Sequence, residues 1–330
     1  MAARVRLLDV AAAAGVSTAT VSYVLNDRPG HTIPEATRAR VREAADALGY
    51  TPSSAARTLA RGRSDIVLLL VPELPLGHVL VGVLERLTRG CTALGLQLLA
   101  RLPLPGEDLG DLCRALMPAA VVVLVDVDPR QVDPIRALGV PVARWQADAD
   151  ATIGPDDVRA PSDSIGRLQA ETLVARGHTR LAFVGPADPR LRVLAAGRFT
   201  GVRDACAQRG LPAPREFTVA TPGATADQLR SWVAHGITGL CVYNDDLALS
   251  VLAGARAAGI AIPRDVAVIG VDDIPAGRWT DPPLATIVLD LDAVSDGLLA
   301  AVAAALGLPW DGSGQATGAE LEVRVRSSVG

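Results

Sequence analysis

Eight predominantly apolar runs follow residue 64, at 66–71, 96–102, 120–127, 141–145, 181–184, 217–220, 239–243 and 266–271. They show little apolar–polar alternation, the pattern of strands covered on both faces in a parallel sheet. Helical stretches of about 10–18 residues separate most of them, the spacing of repeated βαβ units. Over roughly 260 residues the pattern predicts two doubly wound α/β subdomains, in keeping with about two domains for a chain of 330 residues. Between two such sheets, beyond the carboxyl ends of their strands, a cleft is the expected ligand site.

The first 60 residues have a different texture. Residues 5–14 place Leu8, Ala11 and Ala12 about a helical turn apart and stop at Gly15, a residue suited to closing a helix in left-handed geometry. Ser17 can cap a second helix over 18–26, with Val21 and Leu25 on its buried side and Thr18, Ala19, Ser22 and Tyr23 facing outward. A third helix follows Pro34, with Val41, Ala45 and Leu48 on one stripe and Gly49 as terminator. After Tyr50-Thr51-Pro52, Ser53 can cap a very short helix over 54–60. Helix, glycine turn and second helix at this spacing match the helix-turn-helix, whose second helix enters the DNA major groove. Unrelated pairs of short helices share that spacing.

Charge separates the two parts. All 32 basic residues are Arg, and nine of them fall in residues 1–63 against five acids, which makes that segment +4. The other 267 residues carry 23 Arg and 31 acids, or −8. A basic module on an acidic body points to nucleic acid, although a solvated basic face gives the same count. Cys91, Cys113, Cys206 and Cys241 form no CxxC pair and have no His at metal spacing, so buried thiols are expected, with neither metal nor disulfide. No Gly-rich phosphate loop follows a strand and no Gly-x-Ser-x-Gly elbow occurs, so neither an enzyme nor a cofactor is expected. The longest apolar runs, 66–71 and 119–125, fall short of the ~20 residues of a membrane helix, and Met1-Ala2-Ala3-Arg4 leads into no signal-like stretch. The expected location is the cytoplasm.

The strings themselves are more specific. Leu8-Asp9-Val10-Ala11, Ala14-Gly15-Val16-Ser17, Thr20-Val21-Ser22, Val24-Leu25-Asn26, Thr37-Arg38, Leu48-Gly49-Tyr50 and Pro52 closely resemble the DNA-binding headpiece of the lac repressor (LacI/GalR-type) family of bacterial transcription regulators. Further landmarks follow in order: Gly177-His178 before Leu181-Ala182-Phe183, Arg198 three residues before Gly201, and Asn244-Asp245 before Leu247-Ala248-Leu249. Gly270-Val271-Asp272-Asp273-Ile274 and Pro282-Pro283-Leu284 with Thr286 complete them, so the resemblance spans residues 4–326. It implies an N-terminal all-α helix-turn-helix headpiece over 1–51, a hinge helix and linker over 52–64, and a two-lobed periplasmic-binding-protein-like effector and dimerisation domain over 65–330. Its N-subdomain would take about 65–160 plus 289–316, and its C-subdomain about 161–288 plus 317–330.

By that resemblance Ser17, Thr18, Ala19, Thr20, Ser22 and Tyr23 lie on the helix that reads bases, with Arg6, Asn26, His31 and Arg38 beside phosphates. Relatives commonly carry Arg where this chain has Tyr23; a Tyr cannot make the paired bonds of Arg to guanine, so a changed operator preference is expected, unless Tyr23 packs on its own headpiece. Ser53, Ala56 and Arg57 fall in the hinge, and Leu59 corresponds to the wedge pushed into the minor groove, or packs on its counterpart in a dimer mate. Arg198, Asn244 and Asp272 match positions that touch small molecules in relatives, chemistry suited to a sugar or nucleoside-like effector. The aromatic pair that relatives place after the first strand is absent, with Val79 and Leu80 in its stead, and Pro161-Ser162 replaces an Asp-Asn pair, with Asp163 and Ser164 nearby. Trp145 can supply a replacement stacking face, while Trp232 lies on an apolar stripe suited to the core.

The resulting expectation is a repressor that binds a pseudo-palindromic operator as a homodimer under control of a small polar effector. A solute-binding protein and an effector-independent regulator with a degenerate pocket are the alternatives. Residues 320–330 read as a final strand without a leucine heptad, so no tetramer of that kind is expected.

Overall fold

The fold is that of a computed structural model, which describes residues 5–25, 33–50, 58, 59, 61–71, 77–104, 106–124, 129–146, 157–220, 224–312 and 321–330. The chain divides into two compact units, Met1–Asp65 and Ile66–Gly330.

In the first unit α1 (Leu7–Ala14), α2 (Thr18–Leu25) and α3 (Glu35–Ala47) enclose a small core. The Arg6 backbone N–H donates to the Asp9 carboxylate at 2.7 Å, and Gly15 closes α1 with φ of 65°. The chain then bends by 102° between α1 and α2, within the range of a helix-turn-helix. Val10, Ala11 and Ala14 of α1 pack on Val21 and Val24 of α2 and on Val41 and Ala45 of α3. Ala11, Val21, Val41 and Ala45 are buried as expected, whereas Ala12 and Leu48 of the expected stripes are exposed. Leu8 is exposed, because at 3.6 residues per turn the face of Val10 and Ala14 leaves it outside, and Val24 is buried where Leu25 is only half-buried. Of the expected hinge helix, residues 54–57 and 60 lie outside the described residues. Thr58 and Leu59 are helical.

The second unit holds two sheets. The first has strand order β2-β1-β3-β4-β5, all parallel, with β1 (Ile66–Leu70), β2 (Gln97–Arg101), β3 (Ala120–Leu124), β4 (Val142–Gln146) and β5 (Asp157–Arg159). On one face lie α4 (His78–Ala93) and α11 (Leu291–Leu306), and on the other α5 (Leu109–Leu116) and α6 (Pro129–Ala137). The second sheet runs β11-β10-β9-β8-β6-β7, with β6 (Leu181–Pro186), β7 (Arg215–Val219), β8 (Gly239–Val242), β9 (Ala267–Val271) and β10 (Ala285–Leu289) parallel. Only β11 (Leu321–Arg324) is antiparallel. Its faces are covered by α7 (Ser162–Val174) with α8 (Arg192–Gln208), and by α9 (Ala226–Ala234) with α10 (Asp245–Ala258).

Continuous apolar sequence becomes central strand as expected: every residue of β3 and β9 is buried. The edges depart from that expectation. β2 and β7 are mostly exposed because each has a neighbour on one side alone, and β5 and β10 lie outside the apolar runs read from sequence. Trp232 is buried and stacks on Phe217 with ring centroids 4.5 Å apart. All four Cys are buried. Among the described residues no single helix is long and apolar enough to cross a membrane.

Candidate functional site

Two surfaces carry chemistry, one on each unit. On the first, Ser17 precedes α2 and its Oγ accepts from the Thr20 backbone N–H at 3.1 Å while exchanging a hydrogen bond with Thr20 Oγ1 at 2.9 Å. Both hydroxyls are therefore engaged in starting the helix. Thr18 and Ala19 stand exposed at its first turn, and Ser22 and Tyr23 are half-buried. Arg6 is exposed ahead of α1, and Leu59 presents its side chain at 85% exposure. Arg38 Nε reaches back to the Ile33 carbonyl at 3.4 Å. Asn26, His31, Ser53, Ala56 and Arg57 lie outside the described residues.

In the second unit a cavity of about 170 Å³ opens beyond the carboxyl ends of both sheets. Arg198 enters it from α8 and is only 6% exposed. Its guanidinium lies 4.3 Å from the centroid of the Tyr243 ring, and Nη1 donates to the Tyr243 carbonyl. Cation–π stacking and this bond together hold the planar group in one orientation. Burial pushes the Tyr243 hydroxyl up from its usual pKa, so the ring stays neutral. Asn244 caps α10, its Oδ1 accepting from the Leu247 N–H at 3.0 Å. Asp272 follows β9 with φ of 106°, and loss of water pushes its carboxyl up to about 7, against the pull of Arg198.

A carboxylate one residue from Asn244 supports this arrangement. Asp245 is fully buried, accepting from Thr286 Oγ1 at 2.8 Å and from the Ile274 N–H at 3.0 Å, and burial raises it to about 7. A side chain at Gly270 would meet Asp245 Oδ1 at 2.0 Å, which is why the residue two before Asp272 is glycine. Asp273 faces the other way and is bound by Arg278 at 3.0 Å, Arg324 at 2.5 Å and Arg326. Burial would raise its carboxyl, but the Arg326 and Arg278 guanidiniums outweigh that and hold it below the usual range.

Six of the seven effector residues read from sequence meet at this cavity: Arg198, Asn244, Asp272, Val79, Leu80 and Trp145. Ser164 does not. It is exposed, because α7 begins at Ser162 and the face that carries Ser162 and Ile165 into the cavity turns Ser164 about 200° away. Ser162 and Tyr243 were missed as lining residues, and so were Leu191 and Leu194. Tyr243 directly precedes Asn244 at a strand end, and that adjacency was the available signal.

Residues 6–53 match the family described as bacterial regulatory proteins, lacI family, and residues 170–329 match a periplasmic binding protein-like domain. The HTH-type transcriptional regulator MalR of Streptomyces coelicolor is 33% identical over 309 residues, covering 86% of this chain and 84% of that protein. The ribose operon repressor of Escherichia coli is 31% identical over 297 residues, covering 84% of this chain and 86% of that protein. A solved lac repressor dimer bound to operator and the anti-inducer ONPF matches over 99% of each chain, with TM-score 0.78 and 22% identity. A transcriptional regulator CelR–cellobiose complex matches over 98% of this chain and 100% of that one, with TM-score 0.65 and 24% identity, and both likenesses speak for the fold alone. With a helix-turn-helix in the first unit and a two-lobed cavity in the second, the chain belongs to the lacI family of bacterial regulatory proteins and is a DNA-binding transcription regulator.

Proposed function

We propose that this cytoplasmic regulator binds a pseudo-palindromic operator as a homodimer, represses transcription, and releases or tightens its grip when a small effector enters the cavity. The proposed division of labour is a headpiece over 1–51, a hinge and linker over 52–64, and an effector and dimerisation domain over 65–330. Base readout falls to the helix carrying Ser17, Thr18, Ala19, Thr20, Ser22 and Tyr23, and phosphate contacts to Arg6, Asn26, His31 and Arg38. Ser53, Ala56, Arg57 and Leu59 serve the hinge, with Leu59 as the minor-groove wedge. Arg198, Asn244 and Asp272 hold the effector's polar groups. The names of the ribose operon repressor and of the CelR–cellobiose complex favour sugar-like chemistry for those groups.

One observation carries the reading: a helix pair bent by 102° presents an exposed Thr18 and Ala19 in the same chain as a cavity holding a buried, oriented Arg198. Trp279, 86% exposed, is the type of aromatic anchor that a protein interface buries, which suits a dimer. Selection of duplexes from a random pool with the full chain tests the proposal. A two-fold symmetric sequence should emerge, bound by two chains with an affinity that falls steeply with salt. Uniform binding to all duplexes would overturn it.

A further inference from the structure

Eight buried side-chain nitrogen and oxygen atoms lack a hydrogen-bond partner among the described residues, and three belong to residues lining this one cavity: Arg198 Nε, Ser162 Oγ and Trp145 Nε1. Arg198 is 6% exposed and Ser162 3%, so bulk solvent does not supply what they lack. Unpaired buried donors are costly and persist where something else completes them. All three groups can donate, so they call for acceptor oxygens.

The charges narrow the choice. Asp246 and Asp272 line the cavity beside Arg198. An anionic head would meet both carboxylates, and a cationic one would meet the guanidinium. A neutral head with oxygen acceptors fits the three donors, and its own hydroxyls can donate to Asp272.

Beyond Tyr243 and Asn244 the rest of the wall is largely aliphatic. Val79, Leu80 and Val83 of α4 face it from the first lobe, Leu191 and Leu194 come from the second, and Leu124 closes it at the end of β3. A free sugar carries hydroxyls all around its ring, and each one left unpartnered against aliphatic carbon weakens binding by about tenfold. A hydrocarbon surface in the same place gains affinity through burial. On the reading of this cavity as the effector site, we infer that it takes a neutral amphipathic ligand. Its oxygens meet Arg198 and Ser162 of the second lobe and the Trp145 indole N–H of the first, and an aliphatic or aromatic body rests on the valine and leucine side chains.

Two pairs of probes that differ by one phenyl group test this on the full chain: glycerol against 3-phenoxypropane-1,2-diol, and glucose against phenyl β-D-glucopyranoside. Affinity is read by calorimetry, and the site by quenching of indole fluorescence in wild type and in Trp145→Phe. In at least one pair the phenyl compound should bind about tenfold tighter or more than its parent. Its quenching should shrink in Trp145→Phe, and Leu80→Asn, or Val79→Asn should the first fail to fold, should erase most of the phenyl advantage. The inference is overturned if parents bind as tightly as their phenyl derivatives, if neither phenyl compound binds, or if quenching survives Trp145→Phe unchanged. A probe that binds here without altering operator affinity leaves the cavity assignment standing and overturns effector control instead.

Discussion

Asp272 combines a left-handed backbone, an acid raised to about 7 and a place on the cavity wall. Its unfolded value is near 3.8, so between about pH 4 and pH 7 the folded chain keeps a proton that the unfolded chain has released. Stability therefore falls as pH rises through that window, and the loss is complete above it. Asparagine cannot ionise and tolerates the same backbone conformation. Asp272→Asn should accordingly melt higher than wild type at pH 8, with the gain shrinking toward pH 4. Asp245 is raised in the same direction, so the variant retains part of the wild-type slope. An equal difference between variant and wild type at pH 4 and pH 8 would show that Asp272 does not titrate in this window.

Elements set the site through two glycines where α7 and α8 cross. A Cβ at Gly166 would lie 1.8 Å from the Arg198 carbonyl oxygen, and one at Gly201 would lie 1.8 Å from the Asp163 carbonyl oxygen. Backbone that close cannot yield locally, so Gly201→Ala must push the helices apart, at a cost of about 1–3 kcal/mol or more. The same displacement would carry Arg198 away from Tyr243, and so the variant should lose ligand binding as well as thermal stability. A variant with wild-type melting and binding would contradict the crossing. On α2, Tyr23→Arg should change the operator selected, with guanine favoured at one position of each half-site. An unchanged selection would mean that Tyr23 packs rather than reads.

Much of this layout was legible in the sequence, because central parallel strands are apolar throughout and glycine or proline marks helix ends, as Gly15 and Gly49 do. The lines that blurred have physical causes. Edge strand β2 has one covered flank, and α1 is so rich in alanine that residues 8, 11 and 12 looked as good a stripe as 10, 11 and 14. Ser162 and Ser164 differ only in helix phase, which is fixed by where α7 starts. The role of Asp245 depends on Thr286 and Gly270, partners far along the chain that no local pattern announces.

At the scale of the whole molecule the question is how a neutral ligand in an acidic body of −8 can govern a basic segment of +4. Direct electrostatics is a poor route, since a neutral molecule adds no charge. Control must then come from two conformations of the chain that differ in affinity for both ligand and operator. Such coupling is reciprocal: if the ligand changes operator affinity by some factor, the operator changes ligand affinity by the same factor, commonly about 5–150-fold. Titrating ligand into the free chain and into its operator complex should give a ratio equal to the ratio of operator affinities measured with and without ligand. Arg198→Met should bring both ratios toward one together, because it removes the ligand's grip and leaves the DNA-facing residues intact. A ligand that still shifts operator affinity in Arg198→Met would be acting through a different site, and the cavity would lose its claim to be the switch.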